Sequence, residues 1–322
     1  MRFALMTEPQ QGLSYDQLLA VAQAAERAGF EAFFRSDHYA SFPGGAGRPT
    51  TDAWATLAGL ARDTTRIRLG TLVSPVTFRI PGPFAKTTAT VHEMSGGRIE
   101  VGVGAGWNDL EHAQHGIPFP HIHERYEMLE EQLAILHGLW TEPDGWSFDG
   151  THWQVHDALF RPRPTHGTGE RHPNLILGGA GRRRMAALVA RYADEFNLSP
   201  ADPDTAPEAF DRIRRACGEL ERDPDEVVYS AMTGVLIAGT EGELRDRVRV
   251  QLAFLGTSDE DADGWLAARR DRWIIGTPEQ AWERIAAFER AGVQRLMLQD
   301  FLPLDLDMVS LLGSTIVAAA VA

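Results

Sequence analysis

The sequence is poor in cysteine and has no long apolar run, and both features narrow the class of protein. Cys217 is the only cysteine among 322 residues, so an intramolecular disulfide is impossible and we expect a reducing, cytoplasmic setting. No apolar run reaches the ~20 residues that a membrane-spanning helix needs. The first residues, Met1 to Glu8, also lack the pattern of a secretory leader. We therefore expect no membrane partner.

Excess positive charge is absent too. The formal net charge is -14, and no basic stripe is present to neutralise phosphates, so we expect no nucleic-acid partner. The hydrophobic content of 43% supplies a large core. Parallel barrels of this length are commonly one domain, and we expect a single domain over residues 1–322.

Eight segments have the composition of buried strands, and helical segments lie between most of them. Strands that alternate with helices pair in parallel, and eight in this length favour a closed (β/α)8 TIM barrel with loop insertions over an open sheet. The predicted strands are 3–6, 30–35, 67–73, 99–103, 174–177, 195–198, 229–237 and 293–298.

Helix-to-strand junctions near the two ends of the chain are nearly identical. A capping box begins each helix, at Ser14 with Gln17 and at Thr277 with Gln280. A glycine then ends each helix before a strand. Three long segments fall outside this alternation: residues 39–51, 142–173 with a hairpin near Asp149, and 256–273. Long loops in compact folds commonly bind ligands, so we expect these three to shape a substrate pocket.

Polar residues collect directly after the predicted strands, and in a parallel barrel those positions all lie at the end that does chemistry. His38 is a candidate general acid or base, although it could equally pack at the rim. Asp37 either orients His38 or caps a turn. Ser74 either offers its hydroxyl to a ligand or simply ends its strand.

Two glycine-rich segments predict close approach of the backbone to a ligand. The first leads through Gly106 to Asn108, a candidate amide donor, with Trp107 as a pocket wall; its spacing does not match a dinucleotide fingerprint. The second comprises Gly178, Gly179, Ala180 and Gly181, and a helix should begin near it. Three arginines follow, Arg182 first, where acidic residues are usual. A bound phosphate would neutralise the arginines at this already positive end of the helix. The alternative is that the arginines face solvent and pair with distant acidic residues.

A metal site is not expected. His121 and His123 lack a third ligand at a recognised zinc spacing. We expect Glu111, His112 and His115 to be surface residues at the beginning of a helix. The alternative is that Glu111 reaches the pocket.

Several segments match one family in the family's order: residues 25–34, 36–39, 70–79, 95–108, 116–119, 178–179 and 276–280. On these segments the chain resembles the luciferase-like monooxygenase superfamily and, within it, the coenzyme F420-dependent oxidoreductases. The resemblance implies a barrel that binds F420, or alternatively FMN, at its C-terminal rim. It also implies a cis peptide at Leu72–Val73 that supports the cofactor, His38 beside the reactive ring, and cofactor contacts at Asp37, Val73, Ser74, Asn108, Gly178 and Gly179.

The resemblance predicts a hydride-transferring enzyme that acts on a small organic substrate. Trp107 stands where some sugar-phosphate dehydrogenases of this group have a catalytic glutamate, which argues against assuming a sugar-phosphate substrate. Two alternatives remain: a monooxygenase that uses reduced FMN, and a flavin-binding barrel without catalysis. Homodimers are usual among the resembling proteins, and we expect one here.

Overall fold

The computed structural model describes residues 1–42, 47–164, 172–257, 261–302 and 304–320. Its strands are β1 (Arg2–Thr7), β2 (Ala32–Arg35), β3 (Arg68–Pro75), β4 (Ile99–Gly104), β5 (Trp146–Asp149), β6 (Gln154–Ala158), β7 (Asn174–Gly179), β8 (Glu195–Leu198), β9 (Val228–Ile237), β10 (Ile274–Gly276) and β11 (Arg295–Asp300). Its α-helices are α1 (Tyr15–Arg27), α2 (Ala53–Asp63), α3 (Pro81–Met94), α4 (Asp109–Gln114), α5 (Ile122–Thr141), α6 (Arg183–Tyr192), α7 (Ala206–Glu219), α8 (Glu241–Leu255), α9 (Ala262–Ala267), α10 (Pro278–Arg290) and α11 (Leu306–Leu312).

Eight of these strands form a closed parallel ring. The order is β1-β2-β3-β4-β7-β8-β9-β11, and β11 pairs in parallel with β1, where Ala4 lies opposite Met297. The predicted (β/α)8 barrel is therefore confirmed. The short β10 pairs with the end of β9 outside the ring.

The predicted junctions are present, but two strand starts shift by two residues. Both predicted capping boxes form, at Ser14 and at Thr277. Gly29 and Gly292 each adopt a φ of +88°, and the chain needs two more residues after each reversal before it joins the ring. The second strand therefore begins at Ala32 rather than residue 30, and the last at Arg295 rather than residue 293.

The irregular segments contain more structure than predicted. β5 and β6 form the expected antiparallel hairpin, whereas residues 165–171 lie outside the described residues. The segment 256–273, predicted as a charged loop, contains α9, because Asp261 caps that helix and Trp265 and Leu266 bury its apolar face; residues 258–260 are not among those described. No helix in the described ranges has the length and hydropathy that spanning a bilayer requires.

The ring encloses side chains in layers, because alternate residues of a strand face the same side. A small apolar layer fills the middle of the barrel: Ala4, Met6, Ala32, Phe34, Leu72, Ile176 and Met297. The larger apolar core lies between the ring and the helices and includes Trp54, Trp140 and Phe196.

Buried charges close the N-terminal end of the barrel. Arg295, only 1% exposed, donates to Glu100 at 2.7 and 3.0 Å and to Glu195 at 2.9 Å. Burial opposes ionisation of Glu100, but Arg295 and Arg68 more than compensate and lower its pKa. Burial raises the pKa of Glu195 despite the attraction of Arg295. This guanidinium therefore holds two buried carboxylates together.

Replacing Arg295 should destabilise the barrel strongly. Arg295→Met leaves two buried carboxylates without their shared cation, and loss of one partner of a buried pair costs about 3–5 kcal/mol. Chemical denaturation should show this loss in the free energy of unfolding. Arg249→Met is the matched control, because Arg249 is exposed and, within the described ranges, forms its ion pair with the exposed Asp246. A loss below ~1 kcal/mol, the range of surface pairs, would contradict the assignment.

A further buried carboxylate, Asp300, ends β11. Asp300 Oδ1 accepts the N–H of Leu302 at 2.7 Å, and Oδ2 has no hydrogen-bond partner among the described residues. Burial raises the pKa of Asp300 to about 7. The folded protein thus holds a proton that the unfolded chain releases at a lower pH.

Asp300 should make the protein less stable as pH rises. Between the ordinary pKa of an aspartate and about 7 the folded state binds more protons than the unfolded state, so its contribution falls over this window. Asp300→Asn removes the titration and keeps the acceptor for Leu302. Unfolding free energies measured from pH 4 to 8 should favour the variant increasingly, by up to about 4 kcal/mol. Asp246→Asn, at an exposed site, should follow the wild type; parallel curves for Asp300→Asn and the wild type would disprove the idea.

Candidate active site

A cavity of about 440 Å³ opens at the C-terminal ends of the ring strands. Its volume lies within the range of small-molecule sites. The lining residues are Met6, Glu8, Ser36, His38, Phe42, Leu72, Val73, Pro75, Gly104, Ala105, Gly106, Trp107, Ile122, Tyr126, Gly178, Gly179, Met185, Asn197, Ser199, Met232 and Gln299. The position is the one predicted from the polar residues that follow the strands.

The end of β3 forms one wall of the cavity. The Leu72–Val73 peptide is cis, as expected, and the pairing of β3 with β4 shifts register between Thr71 and Ser74. Glycines make room for the Val73 side chain: a Cβ at Gly104 would lie 2.8 Å from Val73 Cγ2, and one at Gly178 would lie 3.1 Å from Cγ1. The two glycines therefore leave room for the Val73 side chain of the neighbouring strand, and Val73 faces the cavity.

A buried carboxylate orients the candidate acid-base group. His38 Nδ1 lies 2.9 and 3.1 Å from the two carboxylate oxygens of Glu111, and Glu111 Oε2 also accepts the Tyr39 N–H at 3.0 Å. An ionised carboxylate only accepts hydrogen bonds, so Nδ1 carries the proton. Nε2 has no hydrogen-bond partner in the part of the chain that the structure describes. The pair thus leaves Nε2 available to a ligand.

The prediction that Glu111 and His112 are surface groups is wrong. Glu111 is 1% exposed and His112 is fully buried, because α4 packs its inner face against the loops after β2 and β3. His112 Nδ1 donates to the Asn108 carbonyl, and Nε2 accepts from the Thr77 hydroxyl, both at 2.6 Å. The alternative, that Glu111 reaches the pocket, is closer to the structure, because the Glu111 carboxylate contacts His38, which lines the cavity. His115 is exposed, as expected.

Asp37 and Ser74 lie behind the wall rather than in it. The Ser74 hydroxyl donates to Asp37 Oδ2 at 2.5 Å and accepts from Trp54 Nε1 at 3.1 Å. Arg79 donates to Asp37 and, at 2.7 Å, to Asp52. Burial opposes the charge of Arg79, but Asp37 raises the pKa of Arg79 above its ordinary value. This network fixes the loop that carries His38 to the strand that carries Val73.

The glycine segment after β7 joins the cavity to the start of α6. Gly178, Gly179 and Met185, in the first turn of α6, all line the cavity. Arg182 is the N-cap and makes no capping hydrogen bond with its side chain. Ala180 and Arg182 are exposed, and Gly181 is buried with a φ of +61°. None of the three lines the cavity, but the free N–H groups of α6 begin beside it.

Some of the remaining predicted residues line the cavity and others do not. Gly106 lines the cavity with a φ of +76°. Asn108 occupies the N-cap position of α4 without a capping hydrogen bond from its side chain, and it does not line the cavity. Of the three loops expected to shape the pocket, only the first contributes, through Phe42; the described residues of the other two lie elsewhere. No group of three or more His, Cys, Asp or Glu in the described ranges is arranged to hold a metal ion.

Several lining residues have no counterpart among the predicted site residues. Glu8 accepts amide hydrogen bonds from Gln10, at 2.6 Å, and from Gln299. Asn197 donates to Ser230 at 2.9 Å, and its Oδ1 is buried without a partner among the described residues. A polar residue at an inward position of a buried strand was the available signal for Asn197 and Gln299.

A closed parallel barrel with a cavity at its C-terminal end defines a barrel enzyme, and comparisons with known proteins identify its family. The family model described as luciferase-like monooxygenase matches residues 1–295. An F420-dependent glucose-6-phosphate dehydrogenase of Beutenbergia cavernae is 36% identical over 88% of this chain and 87% of its own length. An FMNH2-dependent dimethylsulfone monooxygenase of Pseudomonas putida is 28% identical over 88% and 82%.

Solved structures agree on the fold. An F420-dependent secondary alcohol dehydrogenase, in complex with an F420–acetone adduct, superposes with a TM-score of 0.79 at 20% identity and covers 98% of each chain. The protein therefore belongs to the luciferase-like monooxygenase family and is an enzyme of it. The alternative of a barrel without catalysis is set aside.

Removing the charge of Glu111 should allow the proton of neutral His38 to occupy either ring nitrogen. In the wild type the carboxylate keeps the proton on Nδ1. In Glu111→Gln the amide can turn either its carbonyl, which accepts, or its NH2 group, which donates, towards Nδ1. Nitrogen-15 NMR of labelled histidine should show one neutral tautomer for His38 in the wild type and a mixture in the variant. Glu124→Gln, at an exposed position of α5, is the control. A wild-type ring protonated mainly on Nε2 would contradict the assignment.

Proposed function

We propose that this enzyme is a coenzyme F420-dependent oxidoreductase that transfers a hydride between the deazaflavin and a small organic substrate. The observation that carries the proposal is the His38–Glu111 pair. His38 lines the cavity, and its Nε2 has no hydrogen-bond partner among the described residues. The relatives named for F420 dependence support the choice of cofactor.

The cavity fits a flat, mainly apolar ring system with a phosphorylated side chain. Leu72 and Val73 offer an apolar surface, and Gly178 and Gly179 leave space beside it. The buried Asn197 Oδ1 offers an unused acceptor. We propose Leu72, Val73, Gly106, Gly178 and Gly179 as direct contacts of the ring region.

Other cofactor residues would act around that surface. Ala180, Gly181 and Arg182 precede α6, where the helix dipole and the arginine favour a phosphate. Asp37 and Ser74 would support Val73 from behind through their hydrogen bond, and Asn108 would hold the β4 loop to α4 through its carbonyl, which accepts from His112 Nδ1.

The residues of the chain supply proton transfer and orientation. When bound, the deazaflavin provides two-electron hydride chemistry. His38 Nε2 accepts the proton of a substrate hydroxyl in oxidation, or returns it to a carbonyl oxygen in reduction. Glu111 stabilises the imidazolium that forms and keeps its ring in place. The rings of Phe42 and Trp107 pack near-perpendicular to His38 and limit access of water.

The alternative is a monooxygenase that uses reduced FMN, favoured by the similarity to the dimethylsulfone enzyme. The two functions differ in the ring that the cavity accepts. Direct binding measurements therefore separate them before any substrate is known.

The full-length protein should bind F420 at least about tenfold more tightly than FMN, a preference of about 1.4 kcal/mol, when both are titrated by fluorescence. With a substrate found by screening against F420, His38→Ala should lower kcat by about 100-fold or more while F420 affinity changes little. His156→Ala, at an exposed position of β6, should leave kcat unchanged. Tight FMN binding without F420 binding would overturn the cofactor, and undiminished turnover by His38→Ala would overturn the role of His38.

A further inference from the structure

Among the residues that the structure describes, no lysine or arginine lines the cavity. Two arginines near the cavity are engaged elsewhere: Arg125 donates to the Ala105, Gly106 and Pro120 carbonyls, and Arg79 pairs with Asp37 and Asp52. A phosphate or carboxylate on a substrate would therefore find no lysine or arginine among the described residues of this wall.

The wall carries a fixed acidic group. Glu8 is 6% exposed, takes its hydrogen bonds from the neutral amides of Gln10 and Gln299, and forms no ion pair with the described residues. Charges in a partly buried cavity interact more strongly than in water. A substrate anion beside Glu8 would therefore be repelled, whereas a neutral hydroxyl or carbonyl would not.

Aromatic rings surround the candidate acid-base group. The ring centroids of His38 and Phe42 lie 4.5 Å apart, those of His38 and Trp107 5.7 Å, and those of Phe42 and Trp107 5.0 Å, all at steep interplanar angles. Such an arrangement presents apolar ring surface next to the imidazole.

The rim of the cavity is also apolar. Trp107 is 64% exposed and Ile122 41%, and both line the cavity; neighbouring Leu110 is 52% exposed. A cluster of large exposed apolar side chains at the mouth of a site marks a binding surface. Substrate that covers Trp107 and Ile122 would remove this surface from water.

We infer that the substrate is a neutral, mainly apolar alcohol or carbonyl compound that contacts Phe42, Trp107 and Ile122 and presents its oxygen to His38 Nε2. The inference rests on the proposed function for the chemistry at that oxygen, but the charge selectivity of the cavity does not depend on the cofactor. The inferred class differs from the glucose 6-phosphate for which several relatives are named, because the described residues of the cavity wall offer a phosphate no lysine or arginine, the side chains that bind phosphate most strongly.

Matched probes test the charge selectivity. The neutral series is cyclohexanol, 2-butanol and 1-phenylethanol, and the anionic analogue is 4-(1-hydroxyethyl)benzoate, which adds a carboxylate to the 1-phenylethanol skeleton. Calorimetric titration should be run on the full chain, with and without F420, and with glucose 6-phosphate as a further anion. We expect 1-phenylethanol to bind at least about tenfold more tightly than the benzoate and glucose 6-phosphate not to saturate.

Two variants test the named contacts. Trp107→Ala should weaken 1-phenylethanol at least about fivefold, whereas Trp107→Phe, which keeps an aromatic ring, should stay within about twofold. Ile122→Lys should strengthen the benzoate relative to 1-phenylethanol by at least about fivefold, whereas Ile122→Leu should not change the ratio. An effect of Ile122→Lys equal on both probes, or none for Trp107→Ala, would overturn the assigned contacts.

The outcomes separate this inference from the proposed function. If F420 does not bind but the cofactor-free protein still prefers the neutral probes, the cofactor is wrong and the substrate class stands. If F420 binds and the enzyme oxidises glucose 6-phosphate, the function stands and the substrate class is overturned. Failure of every neutral alcohol to saturate either form would also overturn it.

Discussion

Closure of eight parallel strands into a ring constrains every residue inside it. Because alternate residues face inwards, β11 places Arg295, Met297 and Gln299 in three successive layers, and β8 places Glu195 and Asn197 in two of them. The ion cluster of the lowest layer and the apolar layer above it fill the barrel from below. Only the C-terminal end is left open, and the cavity occupies it.

The shape of this cavity follows from packing between neighbouring strands. Val73 can face the opening because Gly104 and Gly178 leave space on the adjoining strands, where added Cβ atoms would lie 2.8 and 3.1 Å from its methyl groups. Behind it, Asp37 and Ser74 tie the loop after β2 to β3. One set of contacts therefore positions both the apolar wall and the segment that carries His38.

The buried carboxylates of the site have different partners from those at the N-terminal end of the barrel. At the floor Arg295 compensates two carboxylates, so the charges there stabilise one another. At the mouth Glu111 holds His38, Glu8 is held by amides, and aromatic rings cover the rest. The described part of the site thus combines an imidazole held by Glu111, the carboxylate of Glu8 and apolar side chains, and the substrate class inferred above is based on this combination.

The sequence by itself determined the order of strands and helices, the capping boxes at Ser14 and Thr277 and the end of the barrel that carries the site, because caps and periodicity depend on residues a few positions apart. Tertiary structure alone decided that Glu111 meets His38, 73 residues away, and that Arg295 meets Glu100, 195 residues away. Both contacts require the ring to close before the partners approach. The six residues of α4 are too few for periodicity to reveal a buried face, so Glu111 and His112 resembled surface groups until packing defined which side of that helix faces inwards.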